Sequence, residues 1–414
     1  MKACLISIGD ELLIGQTINT NAAWIGEQLN HYGIDVVQAL SISDKESEII
    51  RALDEAHKQS DVILVTGGLG PTKDDITKHT LCKYFNTDLV LNQDVLKKLE
   101  EFFAKRNRPM LPANIKQAEI PRDCTMIPNQ NGTAQGMWFE RYGKVTVSMP
   151  GVPYEMKGMM ESFVLPELSK RNDLKIVQRT MLTTGIGESF LAEKIAEIES
   201  ALREEGLGLA YLPSLGILKL RVTAKGSNAE ALQKRVDFYF DQIKQSIGNF
   251  YFSEGNETLE MHVSNFLRAN KLTLSVVESC TGGKIANMLT SIPGASDVFN
   301  GSITAYAYSA KENVLNIDHN QLVKDGAVSE WCAKQLAIKG RELFNTDFCI
   351  STTGIAGPTG ATSEKPVGTV WIGFASKDMA FAQRFQFGDH RERNIVLSAN
   401  AAINLLRLSI IKEK

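Results

Sequence analysis

The architecture of this 414-residue chain is clearest around Asp61-Val62-Ile63-Leu64-Val65-Thr66-Gly67-Gly68-Leu69-Gly70-Pro71-Thr72. Asp61–Val65 predicts a short buried strand, and Gly67–Gly70 predicts a glycine-rich loop directly after it. A second apolar run, Ala3–Ile8, lies near the start of the chain, with helical and β-branched segments between the two. Strands joined by helices predict right-handed crossovers, and therefore a parallel sheet covered on both faces.

The neighbouring segments extend this pattern over a first domain. They are a helix over Asn21–Asn30, β-branched residues over Gly33–Ile42, a charged helix that Asp44 caps and that runs to about Lys58, and a strand over Lys144–Ser148. Pro150 and Pro153 impose a bend after that strand. We predict that the first domain covers residues 1–170.

The rest of the chain shows two further patterns. Residues 171–252 predict a small α+β module without a catalytic cluster, with elements over Ile176–Thr183, Glu188–Glu204, Gly216–Ala224 and Ala229–Ile247. Residues 253–414 predict a helix over Glu257–Asn270, strands over Leu272–Val277, Phe348–Thr353, Thr369–Ala375 and Ala380–Phe387, and a final helix over Arg393–Ile411. The predicted fold class is α/β, with an N-terminal three-layer parallel-sheet domain, a small α+β linker module and a C-terminal α/β domain.

Composition and sequence pattern argue against secreted, membrane, fibrous and disulfide-scaffold proteins. The 45 Lys and Arg residues nearly balance the 48 Asp and Glu residues, which argues against a broad surface for nucleic acid or anionic lipid. No uncharged apolar run approaches the roughly 20 residues that span a bilayer, and Asp10 follows the first apolar stretch too closely for a signal peptide. The six cysteines are far apart and lack a Cys-x-x-Cys pair, so we expect reduced thiols in a cytoplasmic protein.

The glycine loop of the first domain predicts a ligand site. Gly67, Gly68 and Gly70 let backbone N–H groups converge at the start of a helix predicted to begin near Asp74, where an anion such as phosphate is the natural ligand. Asp74 and Asp75 lie at the same end and could hold a metal or the amino group of a heterocycle. The alternative is that Asp75 closes a T-x-x-D box that merely caps a helix.

Other carboxylates are expected at the same edge of the sheet. Asp44 follows a strand, and ligands of open α/β sheets gather where the strands end. Asp10 and Glu11 come just after the first strand and could bind a metal or a substrate hydroxyl. The alternative for this pair is a solvated turn before the next helix.

The strongest catalytic candidate lies in the third domain. Ser279 and Thr281 follow the predicted strand Leu272–Val277, and Gly282 and Gly283 open a helix. A hydroxyl at such a turn is exposed next to helix-start N–H groups that could stabilise an oxyanion or hold a phosphate. An ATPase is disfavoured, because the upstream glycine of a P-loop is missing.

Three further clusters could meet Ser279 in space. A desolvated Lys311 could take the serine proton, and Tyr306 could relay or orient it. The run Ser351–Pro358 is rich in small residues that suit the close approach of a ligand, and Arg391 or Arg393 could bind a phosphate. Each has an ordinary alternative: a surface lysine, a packed tyrosine, a turn or a helix start.

Six motifs together resemble those of the competence/damage-inducible CinA family. They are G-D-E-L-L-I-G at Gly9–Gly15, T-G-G-L-G-P-T-K-D-D-I-T at Thr66–Thr77, M-P-G-V-P-Y-E-M at Met149–Met156, E-S-C-T-G-G at Glu278–Gly283, T-G-I-A-G-P at Thr353–Pro358 and K-P-V-G-T-V-W-I-G at Lys365–Gly373. The resemblance covers essentially the whole chain. It implies a molybdopterin-binding-like domain over 1–170, a KH-like module over 171–252 and a nicotinamide mononucleotide deamidase domain over 253–414.

The resemblance also implies an activity for the C-terminal domain. That activity is hydrolysis of the carboxamide of nicotinamide mononucleotide to nicotinate mononucleotide and ammonia, in pyridine nucleotide salvage and without a cofactor. Ser279 is then the nucleophile, Lys311 the base and Tyr306 an assisting group. The implied substrate contacts are Thr281, Gly282, Gly283, Thr353, Gly354, Gly357 and Arg391.

For the first domain, the resemblance implies binding of a nucleotide or a pterin. Some family members also hydrolyse ADP-ribose there with a divalent metal, whose identity the sequence does not specify. The implied binding residues are Asp10, Glu11, Asp44, Gly67, Gly68, Gly70, Asp74 and Asp75.

Several alternatives stay open at the level of sequence. The family's Gly-Asp-Arg is here Gly388-Asp389-His390-Arg391, so Arg391 and Arg393 both remain candidates for the phosphate contact. RNA binding by the KH-like module is disfavoured, because we find no Gly-x-x-Gly clamp. The alternative function is a molybdopterin- or nucleotide-binding protein linked to competence, without turnover. We expect no membrane partner, small nucleotides as ligands and a homodimer.

Overall fold

The structure is a computed structural model that describes residues 1–72, 75–172 and 174–412. Asp74, one of the predicted binding residues, lies outside the described residues. The chain divides into two compact units, Met1–Val177 with Lys225–Gln233 and Gln178–Ala224 with Lys234–Lys414. No helix among the described residues is long and apolar enough to cross a membrane.

The first unit is built on a six-stranded sheet in the order β2-β1-β3-β8-β7-β6. Its elements are β1 (Lys2–Ile8), α1 (Asp10–Leu13), α2 (Thr20–His31), β2 (Asp35–Ile42), α3 (Glu46–Gln59), β3 (Val62–Thr66), α4 (Thr77–Phe85), β4 (Leu89–Leu91), α5 (Gln93–Ala104), α6 (Pro112–Ile115), β5 (Glu119–Pro121), β6 (Thr125–Ile127), β7 (Gly136–Arg141), β8 (Lys144–Met149), α7 (Pro153–Met159) and α8 (Leu165–Ser169). Strands β2, β1, β3 and β8 are parallel, whereas β7 and β6 are antiparallel additions.

The central strand β3 is buried along its whole length, which explains its unbroken apolar sequence. Leu64 packs into a cluster with Ile25 on one face of the sheet, and Ile63 packs into a cluster with Leu53 on the other. Each such fully buried aliphatic side chain stabilises the fold by about 1.5–3 kcal/mol. The predicted parallel sheet covered on both faces is thus confirmed for this part of the unit.

Two predictions about the ends of helices are wrong. Helix α3 begins at Glu46 after Lys45, without a side-chain cap, so Asp44 does not cap it. The helix after the glycine loop begins at Thr77 rather than near Asp74. The loop is therefore longer than the predicted strand–loop–helix connection.

The remaining elements form two further sheets, β10-β11-β9-β12 and β14-β13-β15-β16-β17. They are β9 (Lys175–Thr184), α9 (Glu188–Lys194), α10 (Ala196–Glu204), β10 (Gly208–Ser214), β11 (Ile217–Gly226), α11 (Ala229–Ile247), β12 (Tyr251–Glu254), α12 (Leu259–Asn270), β13 (Leu274–Glu278), α13 (Lys284–Thr290), β14 (Phe299–Thr304), α14 (Tyr308–Leu315), α15 (His319–Asp325), α16 (Glu330–Phe344), β15 (Phe348–Gly354), β16 (Thr369–Ala375), β17 (Ala380–Gln386) and α17 (Arg391–Lys412). The single helix predicted over Glu188–Glu204 is two helices, because the backbone at Ile195 leaves helical geometry.

Strand β13 lies near the middle of the C-terminal sheet and carries the candidate site at its end. It pairs in parallel with β14 on one side and β15 on the other, while β16 and β17 are antiparallel. Val276 packs into the core beneath α12 and α17, and Val277 packs against α14–α16 on the other face. Burial on both faces therefore fixes the position of Glu278, the last residue of the strand.

The KH-like module and the C-terminal domain share a core within the second unit. Leu182 and Phe252 of the module belong to the same apolar cluster as Leu406 of α17. Arg407, only 3% exposed, donates to the carbonyl oxygens of Asn249 at 2.6 Å and Tyr251 at 3.2 Å. Burial lowers the pKa of this guanidinium to about 10.

Candidate active site

The carboxyl end of β13 forms a tight turn that presents Ser279. Its backbone N–H donates to the carbonyl of Thr352 in the neighbouring strand at 3.0 Å. Gly282 and Gly283 then take φ values of +61° and +95°, which favour glycine, and α13 begins immediately afterwards at Lys284. The turn thereby fixes the serine at the edge of the sheet where parallel strands end.

Lys311 of α14 lies against this serine. Its Nζ is 3.2 Å from Ser279 Oγ, and it also donates to the carbonyl oxygens of Ala305 at 2.6 Å and Tyr306 at 3.1 Å. Lys311 is 1% exposed and Ser279 is 8% exposed. The structure therefore brings together two predicted catalytic residues that are 32 positions apart in sequence.

The environment of Lys311 favours its neutral amine. Burial lowers the pKa of Lys311. Burial also raises the pKa of Cys280 to about 12 and that of Cys332 to about 11, so both neighbouring thiols are uncharged at neutral pH. No ion pair joins Lys311 to a carboxylate in the part of the chain that the structure describes. A buried lysine of this kind is suited to accept a proton.

Glu278 is fully buried, and its carboxylate accepts hydrogen bonds from the start of α13. Its carboxylate accepts from the backbone N–H groups of Gly283 at 3.0 Å, Ile285 at 3.1 Å and Ala286 at 2.9 Å. A carboxylate at this position is favoured by the positive end of the helix dipole. In this structure these N–H groups therefore donate to Glu278, and the contact of Gly283 with a substrate stays a prediction.

Two predicted substrate contacts are engaged within the protein. The hydroxyl of Thr281 shares a hydrogen bond with that of Thr352 at 2.7 Å, and the hydroxyl of Thr353 donates to the carbonyl of Ala327 at 2.6 Å. A Cβ on Gly354 would lie 2.6 Å from a side-chain carbon of Val370. These residues shape the walls of the site in this structure.

Tyr306 and Arg391 form the outer part of the site. Arg391 donates to the Tyr306 hydroxyl at 3.0 Å and to the carbonyl of Gly357 at 2.7 Å. Tyr306 is 57% exposed, and its backbone carbonyl rather than its phenol contacts Lys311. The Arg393 side chain is exposed and does not share the contacts that Arg391 makes with Tyr306 and Gly357. Of the two candidate arginines, the structure therefore places Arg391 in the site.

Two residues of the site carry roles that the sequence analysis missed. Glu278 was part of a quoted motif, and the available signal was an acidic residue at the end of an otherwise apolar strand. Asn394, 1% exposed, donates to the carbonyl oxygens of Ala356 and Gly388, both at 2.9 Å, and so ties the turn before α17 to the loop that Arg391 contacts. Nothing in the local sequence pattern indicates the second role.

The first unit gathers carboxylates at the carboxyl end of its parallel strands. The Asp44 carboxylate accepts from the backbone N–H of Asp10 at 3.2 Å. Burial raises the pKa of Asp44, and the negative charges of Asp10, Glu11 and Asp75 raise it further. The structure thus places these four predicted residues near one another.

The glycine loop beside them has its own internal contacts. Gly67 and Gly68 have φ values of +107° and +67°, and a Cβ on Gly68 would collide with the Thr77 side chain. Asp75 accepts from the Thr72 backbone N–H at 2.9 Å and from its hydroxyl at 2.6 Å, the contact expected of the T-x-x-D alternative. Among residues 1–72, 75–172 and 174–412, no three His, Cys, Asp or Glu side chains are grouped so as to hold a metal ion.

Comparison with known families assigns all three parts of the chain. Residues 4–170 match a model described as a probable molybdopterin binding domain, residues 178–253 the damage-inducible protein CinA KH domain, and residues 256–410 the CinA C-terminal domain. A CinA-like protein of Cytophaga hutchinsonii is 44% identical over 413 residues, covering 100% of this chain and 99% of its own. The chain belongs to the CinA family.

Other members of the CinA family give the same picture. A CinA-like protein of Flavobacterium psychrophilum is 42% identical over 418 residues, covering 100% of this chain and 99% of its own. A crystal structure of the protein CinA from Thermoplasma acidophilum, a protein of unknown function, is 36% identical and covers 41% of this chain and 97% of its own, with a TM-score of 0.37. The three family models and the three main sheets of the structure confirm the predicted family and three-part α/β fold, whereas the names of these relatives specify no reaction.

Proposed function

We propose that this CinA-family chain is an amidohydrolase that converts nicotinamide mononucleotide to nicotinate mononucleotide and ammonia. The observation that carries the proposal is the 3.2 Å distance between Lys311 Nζ and Ser279 Oγ in a buried setting that lowers the pKa of the lysine. A serine beside a lysine whose pKa is lowered has a base that can activate it as a nucleophile. The steps below use only side chains of this chain, the substrate and water.

In the first step, the neutral amine of Lys311 takes the proton of the Ser279 hydroxyl while Oγ attacks the carboxamide carbon. The carbonyl π electrons move onto oxygen, giving a tetrahedral oxyanion. The carbonyl oxygens of Ala305 and Tyr306 accept hydrogen bonds from the lysine and hold its amine towards the serine throughout. Because the amine is already in position, the site does not have to reorganise during the reaction.

In the second step, the oxyanion collapses and the C–N bond breaks. The leaving nitrogen takes the proton from the Lys311 ammonium and departs as ammonia, which leaves an ester on Ser279. Water, deprotonated by Lys311, then attacks that ester and releases the carboxylic acid product and the free serine. The same lysine acts in turn as base and acid.

Arg391 and Tyr306 provide the contact for the phosphate of the mononucleotide. Arg391 is the charged donor beside the site, and a guanidinium can bind a phosphate through two nitrogens. Because Glu278 occupies the start of α13, that helix does not compete for the phosphate. The substrate then lies with its amide at Ser279 and its phosphate at the exposed rim.

The test is ammonia release from nicotinamide mononucleotide, with nicotinamide and nicotinamide riboside as substrates that lack the phosphate. We expect turnover of the mononucleotide, strong preference over the other two, and loss of turnover in Ser279→Ala. Ser291→Ala is the matched control, because Ser291 is exposed and contacts only the carbonyl of Met288. Full activity in Ser279→Ala would refute the assigned nucleophile. Tight binding without product would instead favour the non-catalytic alternative.

A second candidate function belongs to the first unit. The convergence of Asp10, Glu11, Asp44 and Asp75 beside the glycine loop supports binding of a nucleotide such as ADP-ribose, or of a pterin, through its hydroxyl and amino groups. Because the described residues do not form a group of three metal ligands, we derive no hydrolytic step through a divalent metal.

Calorimetry with ADP-ribose tests this second function. We expect heat of binding that Asp44→Ala diminishes and that Ser279→Ala leaves unchanged. Product formation on addition of Mg²⁺ or Mn²⁺ would extend the proposal to hydrolysis, and absence of any heat would refute the nucleotide site. We further propose a cytoplasmic location, since all six cysteines are free thiols, and a homodimer, which sedimentation would test.

A further inference from the structure

A cavity of about 440 Å³ lies between the KH-like module and the C-terminal domain, inside the second unit. The module contributes residues 184–188, 213–214 and 216–218. The C-terminal domain contributes the end of β17, Phe387 directly after it, and one face of α17. The volume falls within the range of small-molecule sites, which often form where domains meet. The cavity contains neither Ser279 nor Lys311, so it is separate from the proposed amidase site.

The surrounding contacts show that the boundary is tightly built. The Asn400 amide donates to the carbonyl of Leu215 at 2.9 Å. A Cβ on Gly216 would lie 3.0 Å from Cβ of Asn400, and one on Gly185 would lie 3.1 Å from Nδ2 of Asn404, and both glycines have φ of +80°. The backbone of the module therefore lies directly against side chains of α17 around the cavity, and the cavity is not a gap between loosely packed domains.

The lining defines the chemistry of a ligand. Phe385 and Phe387 present stacked rings with centroids 5.9 Å apart and planes 8° apart, and Ile217 and Leu397 add aliphatic surface. Thr184, Asn400 and Asn404 bring hydroxyl and amide groups to the lining. The Thr184 hydroxyl donates to the carbonyl of Gly216 at 2.9 Å and Oδ1 of Asn404 accepts from Arg407 at 3.0 Å, so the Asn400 amide, whose Nδ2 donates to Leu215, offers its Oδ1 to a ligand. The described lining contains no lysine or arginine, and its charged residue is Glu188, so a phosphate would meet no counter-charge.

We infer that this cavity binds a neutral, planar heteroaromatic compound of nucleobase to nucleoside size. Aromatic and aliphatic walls bury the ring, and amide side chains at one wall recognise ring nitrogen, amino or carboxamide groups. The absence of cations among the described lining residues sets this ligand apart from the phosphorylated substrate of the amidase site.

The cavity is also connected to the amidase site through one turn. Phe387 directly follows β17, whose end lines the cavity, and Arg391 begins the helix whose next turns carry Leu397 and Asn400. Asn394 clamps this turn through the carbonyl oxygens of Ala356 and Gly388. A ligand that fixes the cavity walls therefore fixes Arg391. This second part rests on the proposed function, since it assumes that Arg391 binds the substrate phosphate.

The binding part is tested on the full chain by ligand-observed saturation-transfer NMR and calorimetry. The probes are nicotinamide, adenine, adenosine and guanosine, with AMP as the charged counterpart of adenosine. We expect at least one neutral probe to bind and AMP to bind at least about tenfold more weakly than adenosine if adenosine is that probe. If no neutral probe binds, the cavity is not a site of this class.

Two variants place the probe in the cavity. Ala401→Phe fills the cavity from α17, and Ser214→Trp obstructs it from an exposed position, so that at least one variant leaves the core undisturbed. We expect each to weaken binding of the probe about tenfold or more, whereas Ser291→Trp, at an exposed serine elsewhere, leaves the binding unchanged. Equal binding in all three variants would locate the probe elsewhere and overturn the inference.

The coupling part is tested in Ser279→Ala, which cannot turn the substrate over. Linkage requires nicotinamide mononucleotide and the probe to change each other's affinity by the same factor, typically about 5–150-fold. Probe binding that the variants abolish but that the mononucleotide does not change would overturn the coupling and keep the site. If the mononucleotide itself does not bind, the proposed function fails while the measurement on the cavity still stands.

Discussion

Two pairs of glycines follow buried strands in this chain, and the sites beside them differ in charge. Gly67-Gly68 follows β3 and Gly282-Gly283 follows β13, and all four residues have positive φ. After the first pair the helix is delayed until Thr77, and carboxylates such as Asp44 gather at the edge. After the second pair the helix begins at once, and a buried carboxylate, Glu278, occupies its first N–H groups.

The difference shows that a strand followed by two glycines determines where side chains gather but not the charge of the site. Both turns place side chains where parallel strands end, which is where ligands of such sheets bind. The charge of the site depends on where the nearest carboxylates point. In the second unit Glu278 is turned inward, so the remaining reactive pair is an uncharged serine and a buried lysine.

The largest effect should come from changing the base of the second site. Lys311→Arg keeps a cation and its donors but cannot lose a proton near neutral pH. We expect kcat/KM for ammonia release to fall about 10³-fold or more, as in Lys311→Met, whereas Lys324→Arg at an exposed position has no effect. An Arg variant that keeps more than about a tenth of the activity would show that the lysine acts only through its charge.

The pH dependence gives an independent test of the same residue. Burial lowers the pKa of Lys311 from 10.5, and the active form is the neutral amine, so kcat/KM should rise with pH through a limb that lies below pH 10.5. The sign follows because protonation at low pH removes the base. A rate that stays flat or falls as the pH is raised from about 6 to 10 would contradict this assignment.

Loss of the Arg391 side chain at the rim of the second site should raise KM. Loss of a charged hydrogen bond costs about 1.5–3 kcal/mol, so Arg391→Ala should raise KM for nicotinamide mononucleotide about 10–100-fold. Arg393→Ala, two residues along the same helix, should change KM less than about twofold, because Arg393 is exposed outside these contacts. The opposite result would move the phosphate contact to Arg393, and little change in either variant would return it to the helix start.

The inward carboxylate of the second site should matter for stability. Glu278→Gln replaces one acceptor oxygen by an NH₂ group that faces backbone donors, and the free energy of opening this turn should fall by about 2–3 kcal/mol. Hydrogen exchange at the amides of Gly283, Ile285 and Ala286 measures this loss directly. Glu312→Gln, on the neighbouring α14, provides the background value, and equal protection in the two variants would contradict the role of Glu278.

The smallest effect is expected in the acidic site of the first unit. Here the substitution should increase the stability of the protein rather than lower it. A raised pKa means that the folded state disfavours the Asp44 carboxylate, so stability falls as the pH rises through the range between its unfolded and folded pKa values. Asp44→Asn should therefore stabilise the protein at neutral pH, by less than about 1 kcal/mol because water screens this partly exposed group. Urea unfolding at pH 4 and pH 7 measures the change, and a loss of stability at pH 7 would contradict it.

The elements predicted well from the sequence are those with a strong local pattern. Helix α11 has the predicted bounds, Ala229–Ile247, because its apolar residues recur with helical spacing. Strand β14 was not predicted, because Phe299–Thr304 is a partly buried edge strand without an apolar run. The break at Ile195 was missed for a similar reason, since the apolar spacing continues across both helices.

The candidate site was harder to predict than the fold. Ser279 could be singled out from its turn and Lys311 could be proposed as its base, but the distance between the two residues depends on how α14 packs beside the sheet. The inward orientation of Glu278 and the choice of Arg391 over Arg393 depend on side-chain directions. Such directions are set by tertiary packing and leave no periodic trace in sequence.

The contacts of Arg407 also bear on the order in which the protein is completed during synthesis. Domains generally fold as units from the N-terminus as the chain emerges. Arg407 lies in the last helix, yet it satisfies carbonyl oxygens at Asn249 and Tyr251, and Leu406 beside it packs with Leu182 of the module. The KH-like module therefore acquires its final packing only after α17 has left the ribosome, so a chain truncated before α17 would leave two of its three parts unfinished.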